Sequence, residues 1–193
     1  MSKSKAKAGN QQLRIIAGQW RSRRFGFSEQ PGLRPTPDRV RETLFNWLSG
    51  YTEGARCLDL FTGSGALTLE ALSRGAARAL ACDQSHEVVT TLRGHLASLD
   101  CTRGEVRQQD ALALLGQNAS ETFDLVFLDP PFHQNLLPAA CQALEANGWL
   151  SKRAWIYIES EAPPSQLELP TSWQLHREKR AGQVYYSLWQ RQA

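Results

Sequence analysis

The run Leu125-Val126-Phe127-Leu128-Asp129-Pro130-Pro131-Phe132 decides how this chain is read. Four apolar residues lead straight into an acid, two prolines and an aromatic ring. A short, wholly apolar run containing Val and Phe suits a central strand buried on both faces. Proline offers no N–H to a ladder, so the strand must stop at Asp129. Pro130 also biases Asp129 toward extended backbone. A carboxylate, a stiff turn and a ring therefore meet at the carboxyl end of a strand, the edge at which open α/β sheets bind ligands. The plainer reading is a strand end with a tight turn and Phe132 as a core plug.

Around this run, strand and helix patterns alternate. Strands are predicted over 57–61, over 79–82 ending at Asp83, around Val106, over 123–128 and over 155–158. Helices are predicted over 66–73, 85–99, 111–115 and 136–146. Repeated βαβ units with short connections give an α/β fold, a doubly wound and mostly parallel sheet. Segments 173–177 and 184–189, around Ala181-Gly182-Gln183, add a C-terminal antiparallel hairpin. Upstream, Leu13, Ile15 and Ala17, then Phe25 and Phe27, alternate around Gly18-Gln19-Trp20 and predict a small hairpin. Thr36 reads as the N-cap and Pro37 as the first residue of a helix over 37–48. Its apolar stripe is Val40, Leu44, Trp47 and Leu48, with Arg39 and Arg41 lying away from it. The expected organisation is a disordered basic tail over 1–12, a hairpin-and-helix extension over 13–50 and the main domain over 51–193.

At 193 residues, 41% of them hydrophobic and 21% charged, the chain has enough apolar surface for one substantial core. No apolar run approaches a membrane span, and the basic N-terminus lacks the apolar segment of a secretory signal. The four cysteines form no Cys-x-x-Cys pair, which argues against zinc and fits a reducing cytoplasm. Charge is uneven. Residues 1–42 carry ten Lys/Arg against three Asp/Glu, and residues 43–193 carry twelve against sixteen. A basic segment on a mildly acidic body points to a polyanionic partner. Arg14, Arg21, Arg23, Arg24, Arg34, Arg39 and Arg41, with Trp20 among them, suit RNA phosphates and an unstacked base. The alternative is an ordinary hairpin whose arginines face water.

The first strand runs into Asp59-Leu60-Phe61-Thr62-Gly63-Ser64-Gly65. Glycines there let a ligand approach the backbone. A dinucleotide fingerprint would place a third glycine where Thr68 stands, and there is no Gly-Lys-Ser/Thr run for a phosphate loop. Asp59 would repel a pyrophosphate but welcome a positively charged amino-acid end. Asp83 ends the next strand, placed for a ribose diol. Asp110, followed by Ala111, comes after the third, where it could meet an exocyclic amine. One adenosine joined to one amino acid satisfies all three acids, and S-adenosylmethionine has that make-up. Each acid alone could equally be a cap or turn residue.

Together, Asp59 to Gly65, Asp83, Asp110 and Asp129-Pro130-Pro131-Phe132 resemble the motifs of Rossmann-like class I S-adenosylmethionine-dependent methyltransferases. Three further blocks are similar to the RsmD family. They are Arg14-Ile15-Ile16-Ala17-Gly18, Leu33-Arg34-Pro35-Thr36 with Arg41-Glu42-Thr43-Leu44-Phe45-Asn46, and Glu178-Lys179-Arg180-Ala181-Gly182-Gln183. Thr62 departs from the small residue usual in the glycine loop. The resemblance implies an enzyme making N2-methylguanosine in 16S ribosomal RNA, at the guanine conventionally numbered 966, in the assembled small subunit. It makes Asp59, Phe61, Thr62, Gly63, Ser64, Gly65, Asp83, Asp110 and Ala111 the cofactor-binding set. It makes Asp129, Pro130, Pro131 and Phe132 the catalytic one, with no metal. No membrane or DNA partner is expected, and a monomer is the default. Two rivals stand beside this reading. One is a DNA adenine-N6 methyltransferase, against which counts the lack of a sizeable target-recognition region. The other is a non-catalytic RNA-binding protein on a methyltransferase fold.

Overall fold

Two layers of helices enclose a single seven-stranded sheet in this computed structural model, which describes residues 11–27 and 36–192. The elements, in chain order, begin with the strands β1 (Gln11–Arg14) and β2 (Arg24–Phe27) and the helix α1 (Asp38–Trp47). The main sheet then alternates: β3 (Arg56–Asp59), α2 (Ala66–Ser73), β4 (Arg78–Asp83), α3 (His86–Ser98), β5 (Gly104–Gln108), α4 (Ala111–Leu115), β6 (Phe123–Leu128), α5 (Leu137–Ala146) and β7 (Leu150–Ser160). A single 3₁₀ turn (Pro164–Gln166) precedes the antiparallel strands β8 (Trp173–Ala181) and β9 (Val184–Arg191). The strand order is β5-β4-β3-β6-β7-β9-β8, and β3 to β7 run parallel.

Period-two alternation assigns every side chain of the central strands to one of two cores. Cys57, Leu125, Phe127, Trp155 and Tyr157 face the layer of α1, α2 and α3. Leu58, Val126, Leu128, Ile156 and Ile158 face α4 and α5. Both faces are covered, so strands at the centre can be apolar throughout, as the run at 125–128 required. The same parity carries past the last apolar residue. Asp59, Asp129 and Glu159 follow Cys57, Phe127 and Tyr157 by two each, so all three carboxylates emerge on the face of α1 to α3.

The extension is a two-stranded hairpin paired from Gln11 with Phe27 to Arg14 with Arg24. Strand β1 thus begins inside the stretch expected to be tail, while residues 1–10 lie outside the described residues. The hairpin docks on α2 through one buried carboxylate. Glu70 accepts from the Ile16 and Ala17 amides at 2.8 and 3.1 Å and from Arg74 Nε at 2.6 Å. Beside it, Ser73 Oγ donates to the Ala17 carbonyl and accepts from the Trp20 amide. Gly18, at φ +83°, crosses so close to the α2 backbone that a Cβ would lie 1.9 Å from the Ser73 carbonyl oxygen.

Two expectations for this region are corrected. Arg41 is not a surface cation: it is 1% exposed and donates to the Thr36 and Arg14 carbonyls, with Glu70 at 3.7 Å. It lies one turn before Phe45 and two before Leu48, so the buried arc of α1 is wider than the four-residue stripe and takes Arg41 inside. Nor does Thr36 cap α1. The N-cap position is Pro37, without a side-chain bond, and the Thr36 hydroxyl is hydrogen-bonded to Glu159 instead. No helix among the described residues is long and apolar enough to cross a membrane.

Candidate active site

Strands β3 and β6 are neighbours, but the chain leaves them in opposite directions across the sheet, toward β4 and toward β7. Their carboxyl ends open a crevice at this switch point, the usual ligand position in such sheets. The glycine loop leaves β3 there, and the Leu60 amide still donates to the Phe127 carbonyl at 3.3 Å. Asp129 and the loop therefore start from adjacent strands.

The loop is built by its own acids. Asp59 is buried and accepts from the Thr62 and Thr68 hydroxyls at 3.0 and 2.7 Å. The threonine standing at the third-glycine position thus holds the acid at the head of the loop. Burial pushes the Asp59 carboxyl up to about 6, against the pull of the two hydroxyls. Gly63 and Gly65 take left-handed backbone, at φ 49° and 77°. A Cβ on Gly65 would lie 2.5 Å from a Leu92 methyl and would sit on left-handed backbone, so a larger residue there would be strained and would have to displace Leu92. Ser64 is buried with the loop, while Phe61 and Gly63 remain half-buried at the crevice.

Asp83 turns back over this loop from β4. It accepts the Gly63 amide at 3.1 Å and the Ser85 amide at 2.9 Å, yet stays half-buried with lone pairs to spare. Ser85 in turn caps α3 by accepting the Val88 amide. Asp110 is the N-cap of α4, accepting the Ala113 amide at 2.7 Å and bonded to Gln84, with Ala111 buried behind it. Its capping role and its place at the sheet edge coexist, because the cap uses one carboxylate oxygen on Ala113. A glycine loop with close backbone approach and a half-open acid at the next strand end suit an adenosyl group carrying an amino-acid tail.

Asp129 is half-buried beyond β6, and Pro130 is buried behind it. Burial raises the Asp129 carboxyl well above its ordinary range, reinforced by the charges of Glu159 and Asp59. Phe132 is 41% exposed, so it is not a core plug but a free ring at the mouth. A cavity of about 360 Å³ opens beside Pro130, Pro131 and Phe132 and is lined also by Glu159, Leu136 and Leu167.

Glu159 and Tyr157 escaped the sequence reading. Glu159 is buried, accepts the Tyr157 hydroxyl at 2.8 Å, and is raised by burial against the pull of Tyr157 and Thr36. The signal was available: Glu159 follows the apolar run 155–158 as Asp129 follows 125–128. Of the arginines, Arg21, Arg23, Arg24 and Arg39 are exposed, and Arg14 is exposed but tied to Asp38 at 3.1 Å. Arg34 lies outside the described residues.

This strand order, with a glycine loop after the first parallel strand and acids closing its neighbours, defines a class I S-adenosylmethionine-dependent methyltransferase. A family model described as conserved hypothetical protein 95 matches residues 13–190. Ribosomal RNA small subunit methyltransferase D of Escherichia coli is 49% identical over 186 residues, covering 96% of this chain and 93% of that protein. The Haemophilus influenzae protein of the same name is 45% identical over 182 residues, covering 93% and 94%. The solved structure of Escherichia coli yhhF superposes with a TM-score of 0.85 at 46% identity, covering 95% of this chain and 99% of that one. The chain belongs to the RsmD family of methyltransferases.

Proposed function

We propose that this enzyme transfers a methyl group from S-adenosylmethionine to the exocyclic N2 of one guanine in small-subunit ribosomal RNA, with the assembled subunit as substrate. S-Adenosylhomocysteine and N2-methylguanosine are the products. The observation that carries this reading is the juxtaposition of Asp129, just beyond the end of β6, with the glycine loop of the adjacent strand. The names of the Escherichia coli and Haemophilus influenzae relatives support the ribosomal RNA substrate.

When bound, S-adenosylmethionine supplies a methyl on a sulfonium, an electrophile with a good leaving group. The residues have to supply orientation. Guanine N2 is a weak nucleophile because its lone pair is delocalised into the ring. Asp129 accepts one N2 hydrogen and the Pro130 carbonyl accepts the other. Two acceptors on a rigid turn favour a pyramidal nitrogen with its lone pair free. Phe132 stacks on the flipped base and holds it in line. Most of the acceleration then comes from positioning and fixed electrostatics. Once the methyl has moved, the nitrogen proton is acidic, and Asp129 takes it without being a strong base. Its raised acidity range suits that step, because an acceptor closer to neutrality holds the proton better than an ordinary carboxylate.

Labelled S-adenosylmethionine offered with intact small subunits, protein-free ribosomal RNA and duplex DNA tests this. Label is expected in subunit RNA, as N2-methylguanosine after digestion. Label in DNA adenine would support the adenine-N6 rival instead.

A further inference from the structure

The sheet carries a second basic feature, well away from the N-terminal arginines. Leu128 pairs with Ile158, Ile158 with Ser187 and Ser187 with Glu178. One residue nearer the ligand edge, the next row continues from Asp129 through Glu159 and Tyr186 to Lys179. Three strand spacings separate the ends of that row, about 14 Å. The β8–β9 turn lies two rows further out, where Ala181 pairs with Val184. The hairpin tip therefore projects from the same edge as the catalytic turn.

Its side chains are basic, exposed and sorted by face. Arg177, Lys179 and Arg180 are exposed, and Glu178 is the sole acid in 177–183. Directly opposed residues share a face. Lys179 thus stands with Tyr186, whose ring stacks on Trp47 of α1 at 5.5 Å, and Arg177 stands with Leu188. Both lie on the face that carries the extension. On the other face, the Arg180 guanidinium sits 5.1 Å from the Tyr185 ring, and its Nε donates to the Gly182 carbonyl. Among the described residues, none of these three cations pairs with a carboxylate. Arg56 and Arg78, at the opposite edge of the sheet, are neutralised by Asp124, Glu105 and Glu121. Three uncompensated cations clustered toward the catalytic side, beside a cation–aromatic pair, fit a nucleic-acid strand.

We propose that the β8–β9 hairpin tip is a second RNA-contacting surface: Arg177 and Lys179 hold phosphates flanking the target base, and the Arg180–Tyr185 pair offers a stacking platform. It rests on the ribosomal RNA reading above and names where that substrate runs. The strand lies across the catalytic edge, gripped by the N-terminal hairpin toward α2 and α3 and by this tip beyond β7. Charged side chains on β8 could instead serve only to deter edge-to-edge pairing between copies of the sheet.

The full chain with Arg177→Glu and Lys179→Glu together decides between these roles. Affinity for subunit RNA, measured by filter binding over a salt series, is expected to fall at least tenfold near 0.1 M salt. Its dependence on log salt should flatten by about one to two. Cofactor affinity by calorimetry and the thermal midpoint should stay at the parent values, and Arg177→Lys with Lys179→Arg should retain RNA affinity. RNA affinity within twofold of the parent would overturn the proposal. So would concentration-dependent aggregation with RNA affinity intact, which would mark the charges as edge guards. Failure of the parent chain to bind or methylate ribosomal RNA would instead strike the functional reading itself.

Discussion

Two carboxylates in this molecule, one buried and one half-buried, live in opposite surroundings. Glu70, where the N-terminal hairpin meets α2, is wholly inaccessible and is met by two backbone amides, Arg74 and Arg41. Asp129, at the carboxyl end of β6, is faced by two more acids, Glu159 and Asp59. One site surrounds its carboxylate with donors, and the other uses burial and like charge to raise its carboxyl above the ordinary range. The first arrangement fastens an extension to a body. The second is the kind of electrostatic tension that functional sites keep and structural sites do not.

The sharpest way to break the contrast is to take one carboxylate from each region. Asp129→Asn should cut methyl transfer by about 10³-fold, in line with the loss of one preorganised polar contact to a transition state. Calorimetry should find cofactor affinity changed by no more than a few fold, and the thermal midpoint should not fall. Glu70→Ala should do the reverse. It leaves the Ile16 and Ala17 amides without their acceptor, a cost of about 1–3 kcal/mol per amide that differential scanning calorimetry would read as a lower midpoint, while Arg41 keeps Asp38. RNA affinity should fall with it, because the hairpin loses its anchor.

Smaller effects sharpen the same comparison. The Asp59 carboxyl moves from 3.8 to about 6 on folding, so the folded chain holds that proton more tightly than the unfolded one. The resulting stability is complete below pH 3.8 and is lost as pH rises through about 6, a difference of about 3 kcal/mol. Asp59→Asn keeps an acceptor for Thr62 and Thr68 without that loss. It should therefore melt higher than the parent at pH 8 and much like it at pH 4, while binding the cofactor more weakly. Glu159→Gln removes one like charge from Asp129. The acid limb of the pH–rate profile should move to lower pH, since Asp129 then ionises more readily. An unmoved limb would mean that Asp129 titrates independently of its neighbour.

Much of this was legible in the chain because the signals are local. Strand β6 over 123–128, helix α2 over 66–73 and helix α4 over 111–115 fall where periodicity put them, since each is bounded by a proline, glycine or acid that sets its end. Strand β7 runs from Leu150 to Ser160, beyond the apolar core at 155–158, because its outer residues pair with β6 and β9 without needing to be apolar. What sequence order could not convey was pairing at a distance. Arg41 looks like a solvent-facing cation on α1 until Glu70, far along the chain, comes to meet it. Thr36 reads as a cap until β7 brings Glu159 within reach of its hydroxyl. Thr36 found a long-range partner in place of a local one, whereas Arg41 keeps its local partner Asp38 and adds the distant Arg14 carbonyl and Glu70.

The central claim concerns the pairing of Asp129 with a guanine amine, and one paired assay addresses it. Parent and Asp129→Asn enzymes, each shown by calorimetry to bind the cofactor, would be given labelled S-adenosylmethionine and small subunits, and the RNA digested to nucleosides. The account predicts label in N2-methylguanosine from the parent and about a thousandth of that rate from the variant. Undiminished transfer by Asp129→Asn, or label in any nucleoside other than N2-methylguanosine, would contradict it.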